Sequence, residues 1–204
     1  MKFIGCFNKS VILTYVGLTF SILGIYNLLL TSELYSVNRV DIAVICLILA
    51  GICDLFDGVI ARKCKRNETQ KKFGVQIDSL IDVISFLIFP SILLFYIWNN
   101  KTILYLLVIV FYILCGITRL AWFNIKVEDF KDKYQGLPVT YSALIIPIVY
   151  AIFQGNSLLK IIMPIIYCIL GLLFILDMKI NKPKGIWYIV FAVLAIIVSL
   201  LIIF

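Results

Sequence analysis

The stretch "VDIAVICLILAGICDLFDGVIAR" (residues 40–62) decides the fold, because an apolar run of membrane-spanning length carries two aspartates near its end. A helical crossing of a bilayer takes about 20 predominantly apolar residues, and residues 40–61 supply them. Asp54 and Asp57 lie within this run. Because an ionised carboxylate in a membrane is costly, it marks a candidate functional site. The stretch therefore predicts a transmembrane helix with chemistry at one end.

The rest of the chain is similarly apolar. Of its 204 residues, 63% are hydrophobic and 14% charged, with a mean hydropathy of +1.11. A soluble domain would need more polar residues to cover its surface. We expect an all-α fold, a polytopic membrane helical bundle that forms one domain over residues 1–204 and keeps its first span uncleaved. The best count is seven spans, within a range of six to eight: 10–31, 40–61, 75–98, 102–124, 138–153, 158–177 and 185–204.

The basic residues predict the orientation in the membrane. With a cytoplasmic N-terminus, 15 of the 18 lysines and arginines fall on the cytoplasmic side, and Arg39, Lys101 and Lys160 remain opposite. This asymmetry follows the positive-inside rule. It predicts an integral protein of the cell membrane with its N-terminus and active site cytoplasmic. We interpret the net charge of +7 as a topology signal and a contact for anionic lipids, with no nucleic-acid partner. The 15 are Lys2, Lys9, Arg62, Lys63, Lys65, Arg66, Lys71, Lys72, Arg119, Lys126, Lys131, Lys133, Lys179, Lys182 and Lys184.

A second pair of aspartates opens the third predicted span. Asp78 and Asp82 are four positions apart, and Asp54 and Asp57 are three apart, so each pair shares one helix face. The two helices are antiparallel neighbours, so the pairs lie at similar depth and converge. Four carboxylates need compensating cations in a low-dielectric bundle. With no histidine in the chain, an all-oxygen site favours magnesium, manganese or calcium over zinc.

The neighbouring residues favour a phosphate ligand over a bare ion site. Gly58 removes a side chain beside Asp57, so that a bulky anion can approach the helix. Ala61 is small and lies on the same face, and Arg62 supplies donors suited to phosphate oxygens. Two metals with a nearby arginine would form a clamp for displacement at phosphorus. The alternative is that the carboxylates are packing elements or part of an ion pathway.

Taken together, "DxxDGxxAR" (54–62) and "GxxxDxxxD" (74–82) resemble the signature of the CDP-alcohol phosphotransferase family. The family usually has about eight or nine residues between the arginine and the second glycine, and this chain has eleven. Three further stretches are similar to the phosphatidylserine synthase branch: "FGVQIDSLIDVISF" (73–86), "RLAWFN" (119–124) and "QGLP" (135–138). Trp122 stands where that branch has a second arginine.

The resemblance implies an enzyme of phospholipid synthesis. It would transfer the phosphatidyl group from CDP-diacylglycerol, or an ether-lipid CDP analogue, to the hydroxyl of L-serine and release CMP. The cofactors would be two divalent cations, Mg²⁺ or Mn²⁺, with Ca²⁺ as a non-productive occupant. The resemblance also implies a homodimer among membrane lipids. The metal ligands would be Asp54, Asp57, Asp78 and Asp82, and Asp82 would also act as general base, since histidine is absent.

The remaining site residues divide between nucleotide and acceptor. The nucleotide and its diphosphate would contact Thr14, Asp54, Gly58, Ala61 and Arg62. For a serine acceptor, we predict that Arg119 binds the carboxylate and that Asn124 and Gln135 add hydrogen bonds. The alternative for Arg119 is a side chain that snorkels to the membrane interface.

Other functions remain open at this point. The same reaction could use glycerol phosphate, inositol phosphate or a second lipid as acceptor, although such phosphates call for more basic residues. A membrane prenyltransferase would need a second aspartate cluster. A cation transporter would need polar residues in other spans, yet the last three spans have almost none before Asp177.

Overall fold

A computed structural model of the protein shows a bundle of seven helical segments within its described residues, as the sequence predicts. One segment is a continuous helix in which α3 and α4 are joined by a π-helical turn, Val83–Ile88. The helices are α1 (Lys9–Leu29), α2 (Arg39–Lys63), α3 (Glu68–Asp82), α4 (Phe89–Trp98), α5 (Ile103–Ile125), α6 (Ser142–Phe153), α7 (Leu159–Ile175) and α8 (Ile186–Ile203). The structure describes residues 5–6, 9–30, 38–98, 102–126, 133–181 and 185–203.

Most of these segments are long enough to cross a membrane. Within the described ranges, five helices combine sufficient length with high hydropathy. The other two apolar helices, Val139–Phe153 and Leu159–Ile175, are shorter, and each contains a proline, Pro147 and Pro164 respectively. The predicted all-α polytopic membrane fold is therefore confirmed.

The third span begins earlier than the sequence predicts. We expected it to start at residue 75, but α3 begins at Glu68. The physical reason is a capping box: the Asn67 side chain accepts from the backbone N–H of Gln70 at 2.8 Å, and the Gln70 side chain accepts from the backbone N–H of Asn67 at 3.0 Å. The helix therefore extends into the basic connection and gives Asp78 a rigid support.

A π-helical turn follows Asp82 directly. Such turns disturb the regular backbone hydrogen bonds of a helix and are frequent at functional sites. Here the carbonyl oxygen of Phe86 accepts hydrogen bonds from the Tyr112 hydroxyl at 2.6 Å and from Ser142 Oγ at 3.2 Å. Side chains of α5 and α6 thus stabilise the irregular turn beneath the second aspartate pair.

At one end of the bundle, hydrogen bonds connect the end of α1 and the end of α6 to the start of α2. Asn27 Nδ2 donates to the carbonyl oxygen of Arg39 at 2.8 Å. The hydroxyl of Tyr150, near the end of α6, donates to Asp41 Oδ1 at 2.5 Å. These contacts place the ends of α1 and α6 beside the start of α2, as the alternating path of the chain predicts.

The opposite end carries the acidic cluster and a small sheet. Strand β1 (Lys133–Gln135) pairs antiparallel with β2 (Lys179–Asn181), which joins the connection after α5 to the connection after α7. Arg62 at the end of α2 contacts Tyr188 at the start of α8. Three of the predicted basic connections therefore meet at one end. The sheet was not predicted, because each strand has only three residues.

Five of the lysines that we assigned to one side of the membrane or the other cannot be located at either end of the bundle. They lie outside the described residues: Lys2, Lys101, Lys131, Lys182 and Lys184.

Candidate active site

The two aspartate pairs converge between α2 and α3. One carboxylate oxygen from each of Asp54, Asp78 and Asp82 lies within 4.8 Å of the others. Asp82 is buried, and Asp78 Oδ1 is enclosed with no hydrogen-bond partner among the described residues. Clustered carboxylate oxygens with unused lone pairs are the donor set that Mg²⁺ and Mn²⁺ prefer. The residues present therefore fit a divalent cation.

Asp57, the fourth aspartate, accepts a hydrogen bond from a residue of α1. Thr14 Oγ1 donates to Asp57 Oδ2 at 2.9 Å, and both residues are buried. The structure thus brings Thr14 to the acidic cluster but places it behind the carboxylate. Thr14 does not line the large cavity described next, and its contact with the nucleotide stays a prediction.

A cavity of about 260 Å³ opens beside the cluster. All four aspartates line it, together with many apolar side chains. The apolar wall comes from three helices, α2, α6 and α8. This combination suits a ligand with a charged headgroup and hydrocarbon chains. The apolar wall consists of Ile48, Ile52, Leu55, Ala143, Leu144, Pro147, Phe191, Ala195 and Val198.

Arg62 and Gly58 both line this cavity. The Arg62 guanidinium donates from Nη2 to the Tyr188 hydroxyl at 3.1 Å. A Cβ added at Gly58 would meet only Arg62 Nη1 within 4 Å, at 3.8 Å. Packing therefore does not require glycine here, and the open space is available to a ligand beneath the guanidinium. Ala61, predicted to leave room for the nucleotide, does not line the cavity.

Arg119 enters the cavity from α5, although it is 65 residues from Asp54 in the chain. It is only 6% exposed, and its Nε has no hydrogen-bond partner among the described residues. Its guanidinium is close enough to Asp82 and Asp54 for electrostatic attraction to both. A buried arginine near the acidic cluster, with one donor unused, is suited to a second anionic group.

Of the other two predicted acceptor residues, Asn124 lines the cavity and Gln135 lies outside it. Asn124 lines the cavity, where its Oδ1 accepts from Ser79 Oγ at 3.0 Å. Gln135 does not line the cavity. Its side-chain amide instead accepts from Trp122 Nε1 at 3.0 Å and donates to Asp177 Oδ1 at 2.7 Å. Gln135 therefore links α5, β1 and the segment after α7, and its contact with the acceptor stays a prediction.

Three tyrosines on the cavity wall were missed from the sequence: Tyr134, Tyr141 and Tyr188. Tyr188 follows Trp187, and the pair has the pattern of an interfacial anchor. Tyr134 lies in a connection that looks solvated. Only the pairing of β1 with β2 turns Tyr134 toward the aspartates, so no local signal could have identified it.

The residues that form this site fall within a match to a known protein family. Residues 7–203 match the family model described as CDP-alcohol phosphatidyltransferase. The chain belongs to this family. The match covers the aspartate cluster and all the cavity-lining helices, and it confirms the resemblance seen in the two sequence motifs.

Curated relatives narrow the comparison within the family. The chain is 33% identical over 146 residues to a CDP-diacylglycerol–serine O-phosphatidyltransferase of Saccharomyces cerevisiae, covering 67% of this chain and 50% of that protein. It is 36% identical over 147 residues to the protein of the same name from Methanocaldococcus jannaschii (71% and 67%). It is 36% identical over 113 residues to the archaetidylserine synthase of Methanothermobacter thermautotrophicus (55% and 48%).

The coverage of these relatives is incomplete. The alignments span about half the length of the Saccharomyces and Methanothermobacter proteins and about two thirds of the Methanocaldococcus protein. No solved structure matches the chain significantly.

Proposed function

We propose that this protein is a membrane enzyme that transfers the phosphatidyl group of CDP-diacylglycerol, or of an ether-lipid CDP analogue, to the hydroxyl of L-serine and releases CMP. The observation that carries the proposal is the convergence of Asp54, Asp78 and Asp82 in a cavity that also holds Arg62 and Arg119. The names of the relatives, which specify serine in each case, support the same acceptor.

The donor's CDP group would bind beside the aspartates of the cavity. Asp54, Asp57, Asp78 and Asp82 would hold two divalent cations, Mg²⁺ or Mn²⁺, whose charge offsets that of the diphosphate and of departing CMP. Arg62 would donate to a phosphate oxygen, and the open space at Gly58 lets the diphosphate approach α2. The hydrocarbon chains of the donor would lie along the apolar wall between α2, α6 and α8.

The acceptor would approach from the side of α5. Arg119 would pair with the serine carboxylate, and Asn124 would offer a side-chain hydrogen bond. The serine hydroxyl oxygen forms a bond to the lipid-side phosphorus, its proton passes to the Asp82 carboxylate, and the bond from phosphorus to the CMP oxygen breaks. Asp82 is suited to this role because it lies in the cluster and also faces Arg119.

The charge on the cavity wall favours an amino acid over a phosphorylated acceptor. Of the described residues that line the cavity, Arg62 and Arg119 are the basic ones. Arg62 is assigned to the donor diphosphate, so a single cation is left for the acceptor. That number suits one carboxylate, whereas glycerol phosphate or inositol phosphate calls for several donors.

A release assay tests the proposal. Purified protein in lipid vesicles receives CDP-diacylglycerol, labelled serine and Mn²⁺ or Mg²⁺, and both CMP and labelled lipid are measured. We expect both products, in equal amounts. CMP release that depends on glycerol phosphate or inositol phosphate instead would refute the serine assignment. If the protein conducts ions and releases no CMP with any alcohol acceptor, the assignment as an enzyme is refuted and a transporter is favoured.

We further propose a single domain over residues 1–204, with the acidic end of the bundle in the cytoplasm, and a homodimer. Cys64 follows α2 at the acidic end, so it reports the orientation. In a variant that keeps Cys64 alone, we expect a membrane-impermeant maleimide to react only after cells are permeabilised. Reaction in intact cells would reverse the orientation. The dimer is tested by mass measurement of the protein in nanodiscs.

A further inference from the structure

Tyr134, in strand β1 of the small sheet, lines the acidic cavity. Its ring centroid lies 5.9 Å from the central guanidinium carbon of Arg119, and the Phe123 ring lies 5.0 Å from the same carbon. The two rings are 6.1 Å apart and inclined at 53°, so they form an aromatic corner against which the guanidinium packs. Such cation–π contacts favour one placement of a desolvated cation.

The backbone on both sides of Tyr134 is anchored to the end of α7. Tyr134 pairs with Ile180 across the sheet. Two residues later in the turn, Gly136 has a φ of +72° and donates its N–H to the Met178 carbonyl at 2.9 Å. A Cβ at Gly136 would lie 2.4 Å from the carbonyl oxygen of Phe174, so the close approach requires glycine.

Side chains reinforce this anchoring. The amide of Gln135 bridges Trp122 on α5 and Asp177 after α7, with bonds of 3.0 and 2.7 Å. Trp122 lies one turn beyond Arg119 on the same helix. The chain of hydrogen bonds therefore fixes Tyr134 relative to Arg119, with contributions from elements that are remote in sequence.

The Tyr134 hydroxyl stays protonated at physiological pH. Burial, together with the nearby Asp54 carboxylate, raises the pKa of Tyr134 to about 12. A neutral hydroxyl adds no charge to the acidic cavity, so the ring contacts the Arg119 guanidinium through its aromatic face.

We propose that Tyr134 is a positioning residue for the acceptor site: its ring, held by the sheet and by Gln135, keeps the Arg119 guanidinium directed into the cavity to receive the carboxylate of a small amino-acid acceptor. This inference rests on the proposed function for the identity of the acceptor. The contact between Tyr134 and Arg119 does not depend on the acceptor, so it can be tested separately.

The first experiment measures Arg119 itself, without substrate. The whole protein is treated with phenylglyoxal, and modification of Arg119 is followed by mass spectrometry. We expect Tyr134→Leu to raise the modification rate by about tenfold, because the guanidinium loses the ring that covers it. Tyr134→Phe retains the ring and should match the wild-type rate. Tyr26→Leu, at an exposed position on α1, is the matched control and should also be unchanged.

The second experiment separates positioning from general damage. With serine as acceptor, Tyr134→Leu should raise KM for serine by about tenfold and leave KM for the CDP-lipid unchanged. In an Arg119→Ala background, the same substitution should add no further effect, because Tyr134 acts through Arg119.

The outcomes distinguish the two proposals. An unchanged Arg119 modification rate in Tyr134→Leu, or an equal rise in both KM values, would overturn the positioning role. Failure of the wild-type protein to release CMP with serine would refute the proposed function alone, since the modification rates report positioning without any acceptor.

Discussion

The two ends of α2 both carry carboxylates, but their surroundings differ. Asp41, in the first turn, accepts a hydrogen bond from the Tyr150 hydroxyl and lies where the helix dipole favours negative charge. At the other end, Asp54 faces the carboxylates of Asp78 and Asp82. A single carboxylate can be satisfied by the protein. A cluster of them, in which the buried Asp78 Oδ1 lacks a hydrogen-bond partner among the described residues, is suited to divalent cations.

We expect the largest effect when an aspartate at one end of α2 or the other is replaced by asparagine, which removes the negative charge. Asp82→Asn should lower kcat by about 10²–10⁴-fold, since it removes the proposed base. Asp54→Asn should also inactivate the enzyme, because it removes a metal ligand. Asp41→Asn changes the same functional group at the other end and should keep activity near wild type. CMP release measures all three, and full activity in Asp82→Asn would exclude it as the base.

Metal removal is the next largest effect. A chelator should abolish CMP release, and Mn²⁺ at 100 times its Kd should stabilise the folded protein by about 2.7 kcal/mol. Thermal unfolding in detergent, with and without Mn²⁺, measures this. Asp41→Asn should retain the shift in Tm and Asp54→Asn should lose it. A shift of equal size in both variants would place the cation elsewhere.

Each end of α2 also has a hydroxyl that donates a hydrogen bond to a carboxylate. Removing each hydroxyl in turn tests what that hydrogen bond contributes. Thr14→Val breaks the bond to Asp57 at nearly constant volume and should weaken Mn²⁺ binding by about 10–100-fold, as losses around metal ligands do. Tyr150→Phe breaks the bond to Asp41 and should cost about 1 kcal/mol of stability without changing Mn²⁺ affinity. Titration calorimetry and unfolding separate the two. Equal Mn²⁺ affinity in Thr14→Val and wild type would contradict a supporting role.

The last comparison concerns two glycines, Gly58 on α2 at the acidic site and Gly24 on α1 away from it. Gly58→Ala has room for its methyl group, so it should fold normally but raise KM for the CDP-lipid by about tenfold, through crowding of the diphosphate. Gly24→Ala would place Cβ 2.3 Å from Phe89 Cζ and should cost about 1–3 kcal/mol of stability, with KM unchanged. An unchanged KM in Gly58→Ala would mean that no ligand uses the space.

Prediction from sequence succeeded where the signal was local. The spans were recognised from runs of apolar residues, and the aspartates from spacings of three and four on adjacent helices. It failed at the start of α3, where the capping box formed by Asn67 and Gln70 outweighed the polarity of the connection. It also missed Tyr134, which lines the cavity, because the sequence around that residue does not specify which way an extended side chain points.

The sequence alone determined that this protein is a helical membrane protein of its family, and it predicted that aspartates of two adjacent helices converge, because helical periodicity acts over a few residues. Only the tertiary structure decided what surrounds that site. Thr14 reaches Asp57 across 43 positions in the chain, and Tyr188 reaches Arg62 across 126. Such contacts depend on how helices pack and on how β1 meets β2, and no spacing within a single segment encodes them.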